Sequence, residues 1–375
     1  MRKNKEMNIA SNKNIKVAVI GCGRIAGHHI QSIHKTKGID IVSVCDLIEE
    51  KSKAYGNEYD IPYFTNYHKM LNELTEVDIV VIATPSGMHF EHSMDIIRNY
   101  NKSVIIEKPT FMRPDQLVKA YKTADKVGVN IFPVFQNRNN KAVKRVKQAI
   151  DTNELGDIRI VTVKVCWCRP QRYYDMAPWR GTLSHDGGAL TNQAIHHVDL
   201  LRYLCGPVKK VNAIMSTIGV KIDAEDSVVA TFIYSNGALG SLVVTTAARP
   251  DDFEASISIV GSKGLAEING IAVNELRIFT PNPDECDRNS EDFVGIKGFG
   301  AVYGYGHQQL YQDIVSYYRD NIPYQIKRKD CFETLNLLHS FYRSDELNDW
   351  IEVNSKIQSD RLGKSNESIS KLYRI

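Results

Sequence analysis

The amino-acid sequence predicts an α/β protein of two domains. The first is a doubly wound parallel sheet, and the second is an α+β domain built on an open, mostly antiparallel sheet. Over about the first 135 residues, apolar strand patterns alternate with helical patterns. A glycine-rich turn joins the first strand to the first helix. Beyond residue 156, strand patterns follow one another with turn signals between them.

The strands and helices of the first domain follow from their apolar patterns. The predicted strands are 16–20, 41–45, 78–83, 103–107 and 130–134, and the predicted helices are 24–35, 86–98 and 114–127. The run DIVVIA at 78–83 is almost continuously apolar, which is typical of a parallel strand with both faces buried. Alternation of such strands with helices predicts the doubly wound sheet.

The second domain begins with a long alternating strand and then a helix. The predicted strands are 158–167, 211–218, 227–234, 238–247, 255–260 and 264–269, and the predicted helices are 188–204, 308–320 and 331–347. Turn signals such as Ser235-Asn236-Gly237 separate neighbouring strands. We predict a flexible leader at 1–14, domains at 15–136 and 137–355, and a polar C-terminal tail at 356–375.

The composition excludes several classes of protein. The chain has 375 residues, 43% apolar and 24% charged, which suits a soluble globular protein. Its formal net charge of +3 is too small and dispersed to indicate nucleic-acid binding. No apolar stretch is long enough for a membrane span, and the N-terminus lacks the apolar region of a secretory signal. Seven cysteines without a CxxC pair indicate reduced structural thiols, a cytoplasmic location and no metal site.

The turn after the first strand carries a G-x-G-x-x-A dinucleotide fingerprint. Gly21 permits the tight turn, Gly23 lets the backbone approach a pyrophosphate, and Ala26 lets the next helix pack closely. Arg24 and Ile25 complete the segment that would face the phosphates at the helix N-terminus. An ordinary strand, turn and helix is the alternative interpretation.

Asp46 ends the second strand, 25 residues after Gly21. A carboxylate at this offset accepts hydrogen bonds from the adenosine ribose hydroxyls. It would also repel a 2′-phosphate, and Leu47 follows it with no adjacent arginine, so the sequence favours NAD over NADP. Asp46 is also compatible with a helix N-cap.

Polar residues follow three further strands of the first domain, where ligands bind in open α/β sheets. These candidate residues are Ala83, Thr84, Pro85 and His89 after the third strand, Glu107, Lys108 and Pro109 after the fourth, and Gln136, Asn137 and Arg138 after the fifth. A solvated cap is the alternative role for a lysine at a strand end. Pro109 stops its strand and fixes where Lys108 points, which favours a functional lysine.

The helix predicted at 188–204 carries a second polar constellation. Asn192 and His196 are four residues apart, so a regular helix presents an amide and an imidazole on one face. A helical histidine is more often structural. The Gly187-Gly188 entry and Asp199, three residues after His196, favour a ligand site here.

A basic and aromatic run precedes this helix. Its arginines can pair with carboxylate or phosphate in forked geometry, and its aromatic rings can stack on sugar, base or nicotinamide. The arginines are Arg169, Arg172 and Arg180, and the rings are Tyr173, Tyr174 and Trp179. An ordinary basic, aromatic surface loop is the alternative.

These motifs together resemble the glucose-fructose oxidoreductase / inositol dehydrogenase / rhizopine-catabolism (Gfo/Idh/MocA) family over nearly the whole chain. The similar segments are VAVIGCGRIAGHH, VVIATPSGMHFEH, VIIEKPTF, GGALTNQAIHHVDLLRYLCG and GHQQLYQDI. The resemblance implies a Rossmann domain followed by an open-sheet domain for substrate binding and oligomerisation. It further implies that Lys108 is the catalytic lysine and His196 the acid/base. Asn192 replaces the family's usual Asp, and Ala194 its usual Gly, which leaves His196 without the expected carboxylate partner.

The segments RPQRYYDMAPWRGTLSHDGGALTNQAIHHVDLL and VYGYGH resemble the WlbA/WbpB type of UDP-N-acetyl-2-amino-2-deoxyglucuronate dehydrogenases. This implies NAD-dependent oxidation of the C3 hydroxyl of a UDP-sugar in surface-polysaccharide synthesis, by a homodimer or homotetramer. NAD would contact the fingerprint, Asp46, the residues 83–85 and 89, and Glu107, Lys108, Gln136, Asn137, Trp179 and Arg180. Substrate would contact Lys108, Arg138, Arg169, Arg172, Tyr173, Tyr174, Asn192, Gln193 and His196.

Two further alternatives stay open at this point. One is the 3-dehydrogenation of a neutral UDP-sugar, or an inositol or other sugar dehydrogenase. The other is a non-catalytic cofactor or sugar sensor on the same fold, which retention of both Lys108 and His196 disfavours. The resemblance also allows NAD to be recycled in place with 2-oxoglutarate.

Overall fold

The structure, a computed structural model, describes residues 13–293 and 304–374 and divides the chain into two compact units. The first unit runs to Val134 and also contains His307–Lys327 and the segment from Ser365 onward. The second unit runs from Phe135 to Gly306 and adds Arg328–Lys364. The chain therefore returns to its first unit twice, where the sequence predicted two continuous domains and a separate tail. Residues 1–12 of the predicted leader lie outside the described residues.

The first unit begins with alternating strands and helices. In chain order these are β1 (Ile15–Ile20), α1 (Ala26–His34), β2 (Ile39–Cys45), α2 (Glu49–Tyr59), β3 (Tyr63–Phe64), α3 (Tyr67–Glu73), β4 (Ile79–Ile82), α4 (His89–Asp95), β5 (Ser103–Ile106), α5 (Pro114–Val127) and β6 (Ile131–Pro133). Their six strands form one parallel sheet in the order β3-β2-β1-β4-β5-β6. This order confirms the predicted doubly wound sheet, with the topological switch between β1 and β4. All residues of β4 and β5 are buried, as their apolar runs require.

The second unit contains most of the remaining elements. These are α6 (Lys141–Asp151), β7 (Ile158–Cys166), α7 (Gln171–Tyr174), α8 (Ile195–Cys205), β8 (Val208–Ser216), β9 (Ser227–Tyr234), β10 (Leu239–Thr245), β11 (Glu254–Gly261), β12 (Leu265–Asn269) and β13 (Glu275–Phe279). The chain then forms α9 (Gly306–Asp320), α10 (Arg328–Leu347), β14 (Ile351–Glu352) and α11 (Glu367–Ser370). Of these, α9 lies in the first unit from His307 onward, and α11 also belongs to the first unit.

An eight-stranded sheet organises the second unit, in the order β13-β12-β11-β7-β10-β9-β8-β14. Its neighbours pair antiparallel except β7 and β10, which are parallel, so the predicted open, mostly antiparallel sheet is confirmed. One face carries buried residues such as Val228 and Phe232. The helix α10 lies against the sheet, where Ser344 Oγ accepts a hydrogen bond of 3.0 Å from Ala213 N. The opposite face exposes Ile214 and Val229.

Two predictions about the environment of the protein can be compared with the structure. Within the described ranges, no helix combines the length and the apolar character that crossing a membrane requires. All seven cysteines lie within the described ranges, and none of them is in a disulfide.

Candidate active site

The glycine turn after β1 has the geometry that a bound diphosphate requires. Gly21 adopts φ +91°, and a Cβ there would lie 2.6 Å from the carbonyl oxygen of Ala83, so only glycine fits. Gly23 is the opposite case, because a Cβ there would meet no atom within 4 Å. The space in front of Gly23 is open for a ligand, while Ala26 is fully buried at the start of α1. The turn therefore fits the phosphates of a dinucleotide at a helix N-terminus.

Asp46 lies beside this turn and is held by two backbone groups. Its Oδ2 accepts a hydrogen bond of 2.7 Å from Cys22 N, and its Oδ1 accepts one of 2.9 Å from Ile48 N. The N-cap of α2 is Ile48, so Asp46 does not cap that helix. Each carboxylate oxygen keeps a further lone pair for a ribose hydroxyl. The side chain thus fits the role of ribose acceptor predicted from its spacing.

His89 joins the ends of two strands of the first sheet. Its Nδ1 lies 2.9 Å from the carbonyl oxygen of Pro109 and its Nε2 lies 3.0 Å from that of Thr84. The side chain is 1% exposed, and burial lowers the pKa of His89. The sequence predicted a cofactor contact for His89. We correct this to a structural role, because both ring nitrogens already face main-chain oxygens.

Glu107 is enclosed within the first unit by three N–H groups, in a set of side chains that we call the Glu107 cluster (His29, Glu107, His307 and Tyr311). Its Oε1 lies 2.9 Å from His29 Nε2 and 3.3 Å from His307 Nε2. Its Oε2 accepts a hydrogen bond of 3.0 Å from Lys108 N. On the far side, His29 Nδ1 lies 2.7 Å from the Tyr311 hydroxyl. The sequence predicted cofactor contact for Glu107, which we correct to this buried role.

The charge state of the Glu107 cluster follows from its hydrogen bonds. Burial alone would raise the pKa of Glu107, but the hydrogen bonds from His29 and His307 hold it well below its ordinary value. Burial lowers the pKa of His29, so its imidazole is neutral. The cluster is therefore an ionised carboxylate hydrogen-bonded to the neutral His29, with His307 as its second imidazole partner. Sequence reasoning missed His29, His307 and Tyr311, although the segments AGHH and GHQQLY contain them.

The segment around His196 departs from the regular helix predicted at 188–204. Ala189–Gln193 forms a π-helical turn, in which Ala194 N donates a 2.9 Å hydrogen bond to the carbonyl oxygen of Ala189. The α-helix α8 begins only at Ile195. The expectation that Asn192 and His196 share one face of a single helix is therefore wrong, since it assumed α-helical spacing throughout. Single π-turns of this kind occur frequently at functional sites.

Asp186 supplies a carboxylate next to Asn192. Asp186 Oδ1 accepts a hydrogen bond from Asn192 Nδ2, and its Oδ2 accepts one of 2.8 Å from Gly181 N. Gln193 Nε2 donates to Asn192 Oδ1 at 2.9 Å and to the Tyr173 hydroxyl at 3.1 Å. Sequence reasoning missed Asp186, although it stands directly before the Gly187-Gly188 entry.

Several residues of the predicted substrate run come together beside this network. Arg169 donates to Asp252 Oδ1 at 2.7 Å and to Gln193 Oε1 at 3.2 Å. The Arg180 guanidinium lies 4.4 Å from the ring centre of Tyr173 and 4.6 Å from that of Trp179. Stacking of this kind leaves the N–H groups at the edge of the guanidinium able to bind an anion.

Other members of the predicted substrate set have a different environment. Arg172 is exposed. Tyr174 is buried, with its hydroxyl 3.0 Å from Thr246 Oγ1, so we correct its predicted role from ligand stacking to core packing.

Arg138 also has a structural role where the sequence predicted substrate binding. Its Nε and Nη2 donate to the two oxygens of Asp199 at 2.7 and 2.6 Å, and its Nη1 lies 3.4 Å from Asp330 Oδ2. The side chain is 3% exposed, so the guanidinium is committed to these acids. The neighbouring Gln136 and Asn137 are also buried.

The fold and the residues around Gly21 and Asp46 define an NAD-binding oxidoreductase. Residues 15–135 match the description "Oxidoreductase family, NAD-binding Rossmann fold", and residues 143–267 match "GFO/IDH/MocA C-terminal domain". The chain belongs to the Gfo/Idh/MocA family, whose members act on sugar hydroxyls with a nicotinamide cofactor. Its cofactor is NAD.

Two solved structures are similar over nearly the whole chain. The WlbA dehydrogenase of Bordetella pertussis, in complex with NADH and UDP-GlcNAcA, is 35% identical, with a TM-score of 0.84 over 92% of this chain and 99% of that one. The WlbA dehydrogenase of Chromobacterium violaceum, with the same two ligands, is 33% identical, with a TM-score of 0.83 over 92% and 97%. Glucose-6-phosphate 3-dehydrogenase of Bacillus subtilis is 25% identical over 66% of this chain and 72% of its own length.

Proposed function

We propose that the protein oxidises the C3 hydroxyl of a UDP-N-acetylglucosaminuronate-type sugar to a 3-keto sugar in surface-polysaccharide synthesis. The observation that carries this proposal is the likeness to two WlbA dehydrogenases bound to UDP-GlcNAcA, at 35% and 33% identity over 92% of the chain. The substrate does not follow from the fold alone, because related folds serve many substrates.

The proposed chemistry divides between the cofactor and the side chains. NAD, held at Gly21, Gly23 and Asp46, supplies the hydride acceptor when bound. His196 takes the proton from the sugar hydroxyl as general base, and Lys108 assists that transfer. Asn192 and Gln193 bind hydroxyl or acetamido groups of the sugar, with their amides oriented by Asp186.

We assign recognition of the anionic substrate to Arg180. Arg180 is stacked between Tyr173 and Trp179, and among the described residues no carboxylate pairs with it. Arg169 shares its charge with Asp252, so its main task is to hold Gln193. A forked guanidinium binds a carboxylate or phosphate through two parallel hydrogen bonds, which a neutral polyol cannot match.

The test is a comparison of substrates under identical conditions. NADH formation is followed at saturating NAD with UDP-N-acetylglucosaminuronate, UDP-N-acetylglucosamine and free myo-inositol. We expect the highest kcat/KM with the uronate, because a site that pairs a carboxylate rejects the neutral analogue. Equal activity on the neutral UDP-sugar would remove the uronate from the proposal, and activity on inositol alone would remove the nucleotide sugar too. NADH binding without turnover on any of the sugars would favour a sensor.

A pair of arginine variants tests the assigned anion contact. Arg180→Ala should lower kcat/KM for the uronate by roughly 10- to 100-fold, the scale of a charged hydrogen bond. Arg159→Ala is the matched control, because Arg159 is an exposed arginine on β7 of the same unit. An unchanged kcat/KM in Arg180→Ala would contradict the assignment.

We also propose that the protein is a homo-oligomer that pairs through the exposed face of its eight-stranded sheet. Ile214 and Val229 are directly paired across β8 and β9 and are 65% and 60% exposed. Leu239 and Ile160, paired across β10 and β7, are 56% and 49% exposed. The two pairs lie on the same face of the sheet, with a row that contains Thr231 and Ser241 between them. Large apolar side chains exposed together on one face mark a protein interaction site.

A further inference from the structure

We propose that the Glu107 cluster is a positioning device for Lys108, and that Glu107 is required for turnover because it fixes the backbone at that lysine. The inference rests on the proposed function in one respect, the catalytic role of Lys108. Glu107, His29 and His307 would then support turnover by positioning Lys108, without contacting substrate or cofactor themselves.

The first support is that both oxygens of the Glu107 carboxylate face N–H groups. Oε1 faces the Nε2 atoms of His29 and His307, at 2.9 and 3.3 Å, and Oε2 faces Lys108 N at 3.0 Å. All three partners are N–H donors, so only a group that accepts at both oxygens satisfies them. The Tyr311 hydroxyl at 2.7 Å from His29 Nδ1 fixes the tautomer that donates from Nε2. The carboxylate therefore has one orientation, and the N–H of Lys108 is held by it.

The second support is that the other side of Lys108 is also held. His89 Nδ1 lies 2.9 Å from the carbonyl oxygen of Pro109, and His89 itself is 1% exposed. Two buried histidine contacts thus restrain the chain immediately before and immediately after Lys108. With the backbone fixed at 107 and 109, the direction in which the lysine side chain leaves the main chain is fixed as well.

The third support is the cost of burying this charge. Glu107 is 4% exposed, and burial lowers the pKa of His29, so its nearer imidazole partner carries no charge to offset the carboxylate. Burial of an ionised group is unfavourable unless hydrogen bonds offset it, and an apolar residue at a strand end avoids that cost. A role in fixing Lys108 explains why an acid stands at the end of β5.

A double-mutant cycle between Glu107 and Lys108 tests the inference. The variants are Glu107→Gln, Lys108→Ala and the double variant, with His34→Gln as the control, since His34 is an exposed histidine on the same helix as His29. Each is measured for kcat, for KM of the sugar, for the Kd of NADH by fluorescence and for its thermal midpoint. A glutamine at 107 turns an NH₂ group towards one of the three donors, so the contact is lost without loss of volume.

The expected result is a loss of turnover that depends on Lys108. Glu107→Gln should lower kcat roughly 10- to 100-fold with the Kd of NADH unchanged, the scale of a misplaced catalytic group. In the Lys108→Ala background the same substitution should change kcat less than about twofold, because the two residues act as a unit. If Glu107→Gln does not fold, His307→Leu gives the same test, since leucine removes one donor and keeps the carboxylate.

Four results would overturn either the role of Lys108 or the positioning role of Glu107. Normal turnover in Lys108→Ala would overturn the catalytic role that the proposed function gives to Lys108. If Lys108→Ala loses turnover, two results would overturn the inference alone. One is an unchanged kcat in Glu107→Gln. The other is an equal effect of Glu107→Gln on kcat in the wild-type and Lys108→Ala backgrounds. The inference would also fail if the purified protein held one equivalent of zinc that His307→Leu lost, because the ligand atoms of His29, Glu107 and His307 lie within 4.8 Å of one another.

Discussion

Replacing Glu225 with glutamine should stabilise the protein above neutral pH. Glu225 is 5% exposed and lies beneath the turn that leads into the His196 helix. Its Oε1 accepts hydrogen bonds of 3.0 Å from Leu190 N and 2.7 Å from the Tyr342 hydroxyl. Its Oε2 has no hydrogen-bond partner among the described residues and lies 2.3 Å from where a Cβ on Gly188 would stand. Burial raises the pKa of Glu225 from 4.5 to about 7.

The magnitude follows from proton linkage. Because the pKa is higher in the folded state, the folded protein binds more protons than the unfolded chain between these two values, and stability falls as pH rises through them. The difference between pKa values of 4.5 and about 7 corresponds to about 3 kcal/mol of folding stability in total, at 1.36 kcal/mol for each tenfold change in proton affinity. About 2.5 kcal/mol of this stability is lost between pH 5 and pH 8, because the buried carboxyl of the wild-type protein ionises over that range.

Glutamine keeps the accepting oxygen and has no charge to bury at any of these pH values. The difference in thermal midpoint between Glu225→Gln and wild type should therefore increase by roughly 5–10 °C from pH 5 to pH 8, for a folding unit of this size. Thermal unfolding followed by circular dichroism at four pH values measures this. Glu275→Gln, at an exposed position on β13, is the control and should run parallel to wild type. A Glu225→Gln curve parallel to wild type across the range would refute the reasoning.

Three further predictions concern the cofactor, the chemistry and the assembly. Asp46→Ala should weaken NAD binding by about 1–3 kcal/mol, as expected for hydrogen bonds to a charged group, and calorimetry that found NADPH bound more tightly than NADH would contradict the role of Asp46. Lys108→Ala and His196→Ala should each lower kcat at least ~100-fold with NADH binding retained, since positioned acid–base groups contribute about 10²–10⁴-fold; a normal rate in His196→Ala would show that another group is the base. Val229→Lys should reduce the oligomer to smaller species in light scattering, while Leu372→Lys, an exposed control on the first unit, should not; an unchanged mass for Val229→Lys would exclude this sheet face as the interface.

The sequence was sufficient for the first sheet because its signals are local. A buried parallel strand is recognisable from one run of apolar residues, and the turn at Gly21 from the residues around it. The strand β3 was not predicted, because Tyr63–Phe64 has only two residues and no periodicity to detect. The return of His307–Lys327 to the first unit was not predicted either, because it depends on which buried surfaces meet across a long stretch of chain.

The site shows the same division between local and distant information. The position of Lys108 after a buried strand was evident from the sequence. The environment of Arg138 was not, because its partner Asp199 is 61 residues away and a guanidinium pairs equally well with a buried acid and an anionic ligand. Glu107 is a similar case, since His307 is 200 residues from it and only the fold brings them together.

Asn192 illustrates how the structure changes the interpretation of a departure from the family pattern. The side chain at 192 is neutral, but Asp186 accepts from its Nδ2, so the amide has a fixed orientation with Oδ1 turned to Gln193. Gln193 in turn accepts from Arg169, which is paired with Asp252. Asp186 therefore supplies the carboxylate that orients these side chains, in place of a carboxylate at position 192. In the proposed function Asn192 contacts the sugar, and a neutral amide there places no like charge beside the uronate carboxylate, which favours binding.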